Sequence, residues 1–482
     1  MSASIPTLFY AALILALFWL DRDVKARTSF ALWLPIIWLS LAGSRSASEW
    51  LQFAPPGAAS EALLEGDPIN RLVYGVLVAL GLIVLLFRAP KAMRLLQANG
   101  AVVAFLFYCL LSLMWAQYPD VGFKRWVKAA GDLVMVLIVV SERDPAVAIR
   151  RLLVRTGFIL IPLSVLMIKY YPDLARYYDR WEWSTYYSGV TTNKNALGLI
   201  CMLFGIASVW QALEAVFGPR VPGRLRRFIA HGVMLVMVLW LFSLARSMTA
   251  FACFILGAVL LLLLVFVRQP EGGDAPPGNR LVVHGLVAVL IAVPSAVVFI
   301  GIEAILTMMG KDPTLTDRTL IWDLLLSKVT NVWLGTGFEN FWLGPRLDEI
   351  WRVYTWAPNQ AHNGYLEIYL NLGLVGLGLL AVTLLVGYQA AMTALRRAPA
   401  IGSLMLTYFV VGIVYNFTEA GFFRISAPVW FVLLLAITRV PELYRLKKSR
   451  PASRREPGHV APRGLRPYGK MRQRPLAASR NA

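Results

Sequence analysis

Runs of about 16 to 22 apolar residues recur along this chain from Ile5 to Ala436. Each is close to the ~20 residues that cross the ~30 Å hydrocarbon core of a bilayer, and lipid offers an unpaired backbone group no partner, so each run must be a helix. Candidate spans fall at 5–20, 28–43, 72–87, 96–115, 126–140, 152–168, 196–217, 228–245, 248–267, 281–302, 370–391, 400–417 and 425–438. The fold predicted is all-α, a polytopic transmembrane helical bundle of about 12–13 spans with one large loop containing short helices. With 58% hydrophobic and 15% charged residues, the 482-residue chain has too little polar material to coat a soluble globule.

The net charge of +20 is concentrated rather than spread. Residues 439–482 carry thirteen Lys or Arg against two Glu in a Pro-rich stretch, which reads as a disordered tail on the cytoplasmic side, against anionic headgroups. Nucleic acid is not expected as a partner, because the tail nearly lacks aromatic residues for base stacking. With the tail inside, the turns at Arg396-Arg397, Arg268 to Arg280, Arg220 to Arg227, Arg150-Arg151, Arg88 to Arg94 and Arg22 to Arg27 also fall inside, as basic turns should. The alternate segments lie outside: 44–70, 116–125, 169–195, the Arg246 turn, 303–369 and 418–424.

The side on which the N-terminus lies depends on the span count. The first run lacks a basic leader and an A-x-A site and reads as a retained span. Cys109, Cys201 and Cys253 lie within apolar runs without a CxxC or Cys/His pair, so neither disulfide nor zinc is expected. The organisation read from these features is 1–95 (N-terminal spans), 96–302 (bundle core), 303–369 (outer loop), 370–438 (C-terminal spans) and 439–482 (tail).

Basic residues on the outer face run against the insertion rule and invite a reason. Lys194 sits in Thr192-Asn193-Lys194-Asn195, Arg246 in Leu244-Ala245-Arg246-Ser247, and Arg318 opens the polar part of the outer loop. Three cations from three turns could form a polyanion site, Arg presenting a planar fork to phosphate oxygens and Lys a point charge. Arg318 begins a helical pattern (Leu320, Ile321, Leu324, Leu325) capped by Thr316 or Asp317, an end where the helix dipole favours an anion. Each also has an ordinary reading: Arg246 snorkelling to headgroups, Lys194 solvated, Arg318 paired with Asp317, Asp323 or Glu339.

Of the four histidines only His362 falls outside, so imidazole chemistry there would be its task, the alternative being a helix-start histidine bonded to a carbonyl. No P-loop, HExxH or GxSxG occurs. Asp21-Arg22-Asp23 has D-x-D spacing but reads as a solvated inner turn.

The outer loop holds Arg318-Thr319-Leu320-Ile321-Trp322, Gly335-Thr336-Gly337-Phe338-Glu339-Asn340-Phe341 and Ala361-His362-Asn363-Gly364-Tyr365-Leu366, with Thr192–Asn195 and Ser243–Ser247 upstream. In these segments the chain resembles the O-antigen ligase and O-antigen polymerase superfamily, and the resemblance covers roughly 100–440. Asp317 stands where relatives often have Gly, and the extra N-terminal span departs from the usual twelve.

The resemblance implies a metal-independent, inverting glycosyltransferase without cofactor in a bacterial cytoplasmic membrane, its catalytic loop periplasmic. The donor would be a glycan on undecaprenyl diphosphate and the acceptor a lipid or glycan hydroxyl, among membrane lipids and other polysaccharide-assembly proteins. In that picture His362 takes the acceptor proton, Arg318 and Arg246 bind the diphosphate, and Lys194 assists. Trp322, Asn363, Gly335 and Gly337 support the loop. The Thr-Asn-Lys-Asn segment and the tail look more like exopolysaccharide polymerase-type members. A ligase acting on lipid A-core is the alternative, and a lipid-linked oligosaccharide flippase is a second, which would place charges deep within several spans. The mid-span stretches read as nearly charge-free.

Overall fold

A computed structural model describes residues 4–23, 26–51, 66–179, 184–219, 222–267, 277–296, 318–354, 357–424 and 427–444. The tail beyond 444 and the segment 297–317, which includes Thr316 and Asp317, lie outside these residues. The described chain is a polytopic helical bundle. Seven of its helices are long and apolar enough to cross a membrane. An eighth span is broken: Ala89–Ala98 and Gly100–Trp115 meet at 87°. Four shorter apolar helices cover 30–42, 281–296, 399–415 and 428–437. Among the described residues each of the thirteen apolar runs of the sequence overlaps a helix, and the boundary placed at 95 falls within Ala89–Ala98.

Helix starts follow local chemistry. Asp67 and Asp144 accept from the backbone N–H three residues on, with Pro68 and Pro145 in the first helical position, where a missing N–H costs nothing. Asn193 caps Lys194–Phe217 through Ala196 N at 2.9 Å.

The helix Pro119–Val140 departs from expectation. It carries Lys124, Arg125, Lys128 and Asp132, so this span is not charge-free. Asp132 is buried and accepts from Trp38 Nε1 at 2.7 Å, which is how a polar group is tolerated in an apolar interior.

Asp21-Arg22-Asp23 is a second correction, for it is not a solvated turn. Asp21 Oδ1 lies 2.5 Å from Arg150 Nη2 and 3.4 Å from His231 Nε2, and Asp23 Oδ2 lies 2.8 Å from Arg227 Nη2. These pairs tie together the ends of three helices, Ser4–Asp21, Pro145–Tyr170 and Arg224–Ala245. Stranding one partner of a part-buried pair costs about 3 kcal/mol. Arg150→Ala should therefore lower the unfolding midpoint of the purified protein, and an unchanged midpoint would show that the clamp is not needed.

Candidate active site

The loop that follows the helix Arg318–Ser327 reaches its position by attaching to a break in a helix. In Gly364–Arg397 the residue Gly373 is non-helical (φ 64°, ψ −163°). The segment 332–341 lies along that break. Thr336 N donates to Leu370 O at 3.2 Å, Gly337 N to Asn371 O at 2.8 Å, Leu374 N to Val332 O at 2.9 Å and Val375 N to Trp333 O at 3.1 Å. The Asn371 side-chain oxygen accepts from Asn340 N and Phe341 N at 3.0 and 3.1 Å. Gly335 (φ +66°) and Gly337 (φ +91°) permit this close approach. A Cβ at 335 would lie 2.5 Å from the Asn371 carbonyl carbon, and one at 337 would lie 2.9 Å from Ser112 O.

Above this seam the loop has its own small core. Ile321 and Leu325 of the helix Arg318–Ser327 pack with Phe341, Trp342, Leu347 and Ile350. The buried Glu367 closes it from below, accepting from Trp342 Nε1 at 2.9 Å and Ala361 N at 2.5 Å.

His362 is held from both sides. Asn363 caps the following helix, its oxygen accepting from Tyr365 N and Leu366 N at 3.0 Å each, while its amide donates to Phe417 O at 3.2 Å. Gly364 N donates to Asn416 O at 2.8 Å. This clip sets His362 Nδ1 3.2 Å from Glu419 Oε2, with both side chains mostly buried. An ionised carboxylate only accepts, so in a neutral imidazole facing it Nδ1 is the donor and Nε2 the acceptor, the tautomer that a general base requires.

Trp322 Nε1 donates to Ala361 O at 2.8 Å and so ties the first turn of the Arg318 helix to the residue before His362. Trp322→Phe, which keeps the ring and loses the donor, should cost about 1 kcal/mol of stability. A larger loss of activity than of folded protein would mark a positioning role, checked by comparing product yield with the unfolding midpoint.

The remaining candidates converge on the same end of the bundle. Lys194 is the first residue of its helix, with Nζ 3.8 Å from the Tyr186 ring centre, and its N–H donates to the Tyr177 hydroxyl at 3.3 Å. Arg246 ends Arg224–Ala245 in a left-handed conformation (φ 49°), is exposed, and forms no ion pair among the described residues. Close packing of Gly198 on Ser247 joins the Lys194 helix to the Arg246 turn. A 3.2 Å hydrogen bond from Thr418 to Thr249 joins that turn to the segment holding Glu419. Arg318 is the first described residue of its helix, and its side chain lies outside the described atoms.

Sequence reasoning missed Arg125, Lys128 and Arg424 of the neighbouring cavity. It has a volume of about 420 Å³ and is lined by Arg125, Lys128, Arg424, Glu49 and Glu339, with Thr191 and Thr192 of the Lys194 loop on its wall. Arg125 Nη1 donates to Glu339 O at 2.7 Å, and Arg424 bonds the Gln360 side chain and Asn359 O, just ahead of His362. Arg125 and Lys128 are one helical turn apart, a signal obscured because the apolar run begins between them. Glu419 carries no local motif that could have revealed it.

Five non-glycine residues among those described have positive φ: Arg246, Glu339, Ala357, His362 and Phe423. Arg246, Glu339, His362 and Phe423 all belong to this end of the bundle. Each such residue stores about 1–3 kcal/mol, and strain of this kind gathers where geometry matters more than stability.

Among the described residues no group of three or more His, Cys, Asp or Glu could hold a metal ion. Comparison with known proteins points to one class of membrane protein. Residues 228–381, which include the Arg246 turn, the Arg318 helix and His362, match the O-antigen ligase family. The exopolysaccharide production protein ExoQ of Rhizobium meliloti is 23% identical over 294 residues, 60% of this chain and 64% of that protein. A candidate polysaccharide ligase of Rickettsia felis is 24% identical over 282 residues, 54% of this chain and 64% of that protein. The chain thus spans a little under two thirds of the length of these relatives. The segment 228–381 thus resembles an O-antigen ligase-type domain, and the relatives extend the likeness beyond it.

Proposed function

We propose that the protein transfers a glycan from a polyprenyl diphosphate carrier to an acceptor hydroxyl at the periplasmic face of a bacterial cytoplasmic membrane. The observation that carries this reading is the His362–Glu419 pair, fixed at 3.2 Å on strained backbone. His362 Nε2 takes the acceptor proton while the acceptor oxygen bonds to the anomeric carbon from the face opposite the leaving group. The bond from that carbon to the diphosphate oxygen breaks with its electron pair, and configuration inverts. Arg318 and Arg246 stabilise the departing diphosphate, with Lys194 as an auxiliary cation. The activated donor supplies the driving force, while the protein supplies position and charge.

Polymer formation, with another lipid-linked repeat unit as acceptor, is the favoured version, in keeping with the likeness to an exopolysaccharide production protein. A deletion strain tests it. Single repeat units left on lipid indicate a polymerase, and long chains stranded on the carrier indicate a ligase. Arg246→Lys should keep more activity than Arg246→Ala yet less than the native protein, because a point charge replaces a fork. Equal surface polysaccharide from Arg246→Ala and the native protein, at matched protein level, would remove Arg246 from the site.

A further inference from the structure

At the end of the bundle opposite His362 lies a cleft of about 630 Å³ whose wall includes Arg27, Arg88, Lys91, Arg94, Glu142 and Arg143. Its floor is built rather than incidental. Glu142 is buried, 3% exposed, and accepts from Ser29 N at 2.8 Å, Ser29 Oγ at 2.5 Å and Arg88 Nη2 at 2.8 Å. Arg88 also donates to Ser141 Oγ at 2.9 Å, and Lys91 Nζ to Glu142 O at 2.8 Å. The one acidic side chain of the cleft is therefore already engaged. Arg27, Arg94 and Arg143 are exposed and form no ion pair among the described residues. Arg94 Nε bonds only Pro90 O, at 3.1 Å.

Two features decide what such a cleft takes. Its wall includes the helix Ala89–Ala98, turned 87° from the next, so that this helix lies across the spans rather than along them. Ala92 and Leu95 are buried on one side of that helix and Arg94 is exposed on the other, as in a helix resting in a membrane interface. Next to the cationic residues stand exposed apolar ones: Phe30 beside Ser29, Phe87 beside Arg88 and Met93 beside Arg94. Cations at the headgroup level flanked by exposed apolar side chains match a phosphate with acyl chains attached better than they match a free anion. Lys91 also lies 4.0 Å from Glu442.

We propose that this cleft binds the headgroup of an acidic phospholipid, with Arg27, Arg94 and Arg143 around the phosphate and Phe30 and Phe87 along the acyl chains. Basic pockets between membrane helices hold anionic headgroups by the same chemistry. The site is independent of glycosyl transfer, and a failure of either reading leaves the other standing.

The test uses the full chain in detergent, titrated with phosphatidylglycerol, phosphatidylcholine or inorganic phosphate, and reads bound lipid by native mass spectrometry and the unfolding midpoint. The native protein should retain phosphatidylglycerol and be stabilised by it, and should respond to neither of the other two. The triple variant Arg27→Ala/Arg94→Ala/Arg143→Ala should unfold at the same midpoint without lipid and bind phosphatidylglycerol at least about tenfold more weakly. The tail is present in both proteins, so the difference isolates the cleft. Phosphatidylglycerol binding unchanged in the triple variant, or abolished by equimolar inorganic phosphate in the native protein, overturns the proposal. Should the triple variant fail to fold, Arg143→Ala alone answers the same question by the same criteria.

Discussion

A strain carrying His362→Asn should make the protein at its normal level and no polysaccharide product. Asparagine tolerates the left-handed backbone that His362 occupies, so the clip formed by Asn363, Gly364 and Asn416 survives the substitution. What disappears is the lone pair that takes the acceptor proton. Loss of a positioned general base costs about 10²–10⁴ in rate, which over a many-step polymer leaves little to detect. Glu419→Gln should act in the same direction but more mildly, because it keeps the shape and loses the charge that fixes the imidazole tautomer. The double variant should be no worse than His362→Asn alone, since the two residues work as one unit. Additive losses would mean that Glu419 acts on something other than His362.

Gly335→Ala should have the largest effect on the fold. The new Cβ would lie 2.5 Å from the carbonyl carbon and 2.6 Å from the oxygen of Asn371, and neither atom belongs to a flexible side chain. The left-handed φ adds its own penalty, so the local cost is about 3 kcal/mol or more. Because 332–341 is sewn to the helix break at Gly373, the loop should lift from its seam while the bundle beneath stays assembled. Limited proteolysis of the purified variant should then cut near 335–345 at a protease level that leaves the native loop intact. Native-like resistance would show that the seam is not what holds the loop.

The bundle was legible because lipid demands helical, apolar spans, and among the described residues each of the thirteen apolar runs overlaps a helix. The break at Gly373 was not, since Leu372 to Leu380 is continuous in apolar character and only the approach of 332–341 explains an interrupted ladder there. His362, Lys194 and Arg246 could be singled out because few basic residues and a single histidine fall in the turns that the charge pattern assigns to the outer side. Glu419, Arg125 and Arg424 stayed hidden, for each gains its meaning from a neighbour more than fifty residues away. Asp21 and Asp23 were misread for the same reason, because Arg150, His231 and Arg227 are invisible to a local view of the turn.

The central proposal is glycosyl transfer based on His362, and the most direct measurement reconstitutes it. Purified protein in liposomes is given a synthetic undecaprenyl-diphosphate oligosaccharide in the presence of a chelator, and released undecaprenyl diphosphate and extended glycan are followed together. The native protein should release carrier and form product in step, while folded His362→Asn should do neither. Product formed by the variant at the native rate, or none from the native protein unless a metal ion is restored, would contradict the account.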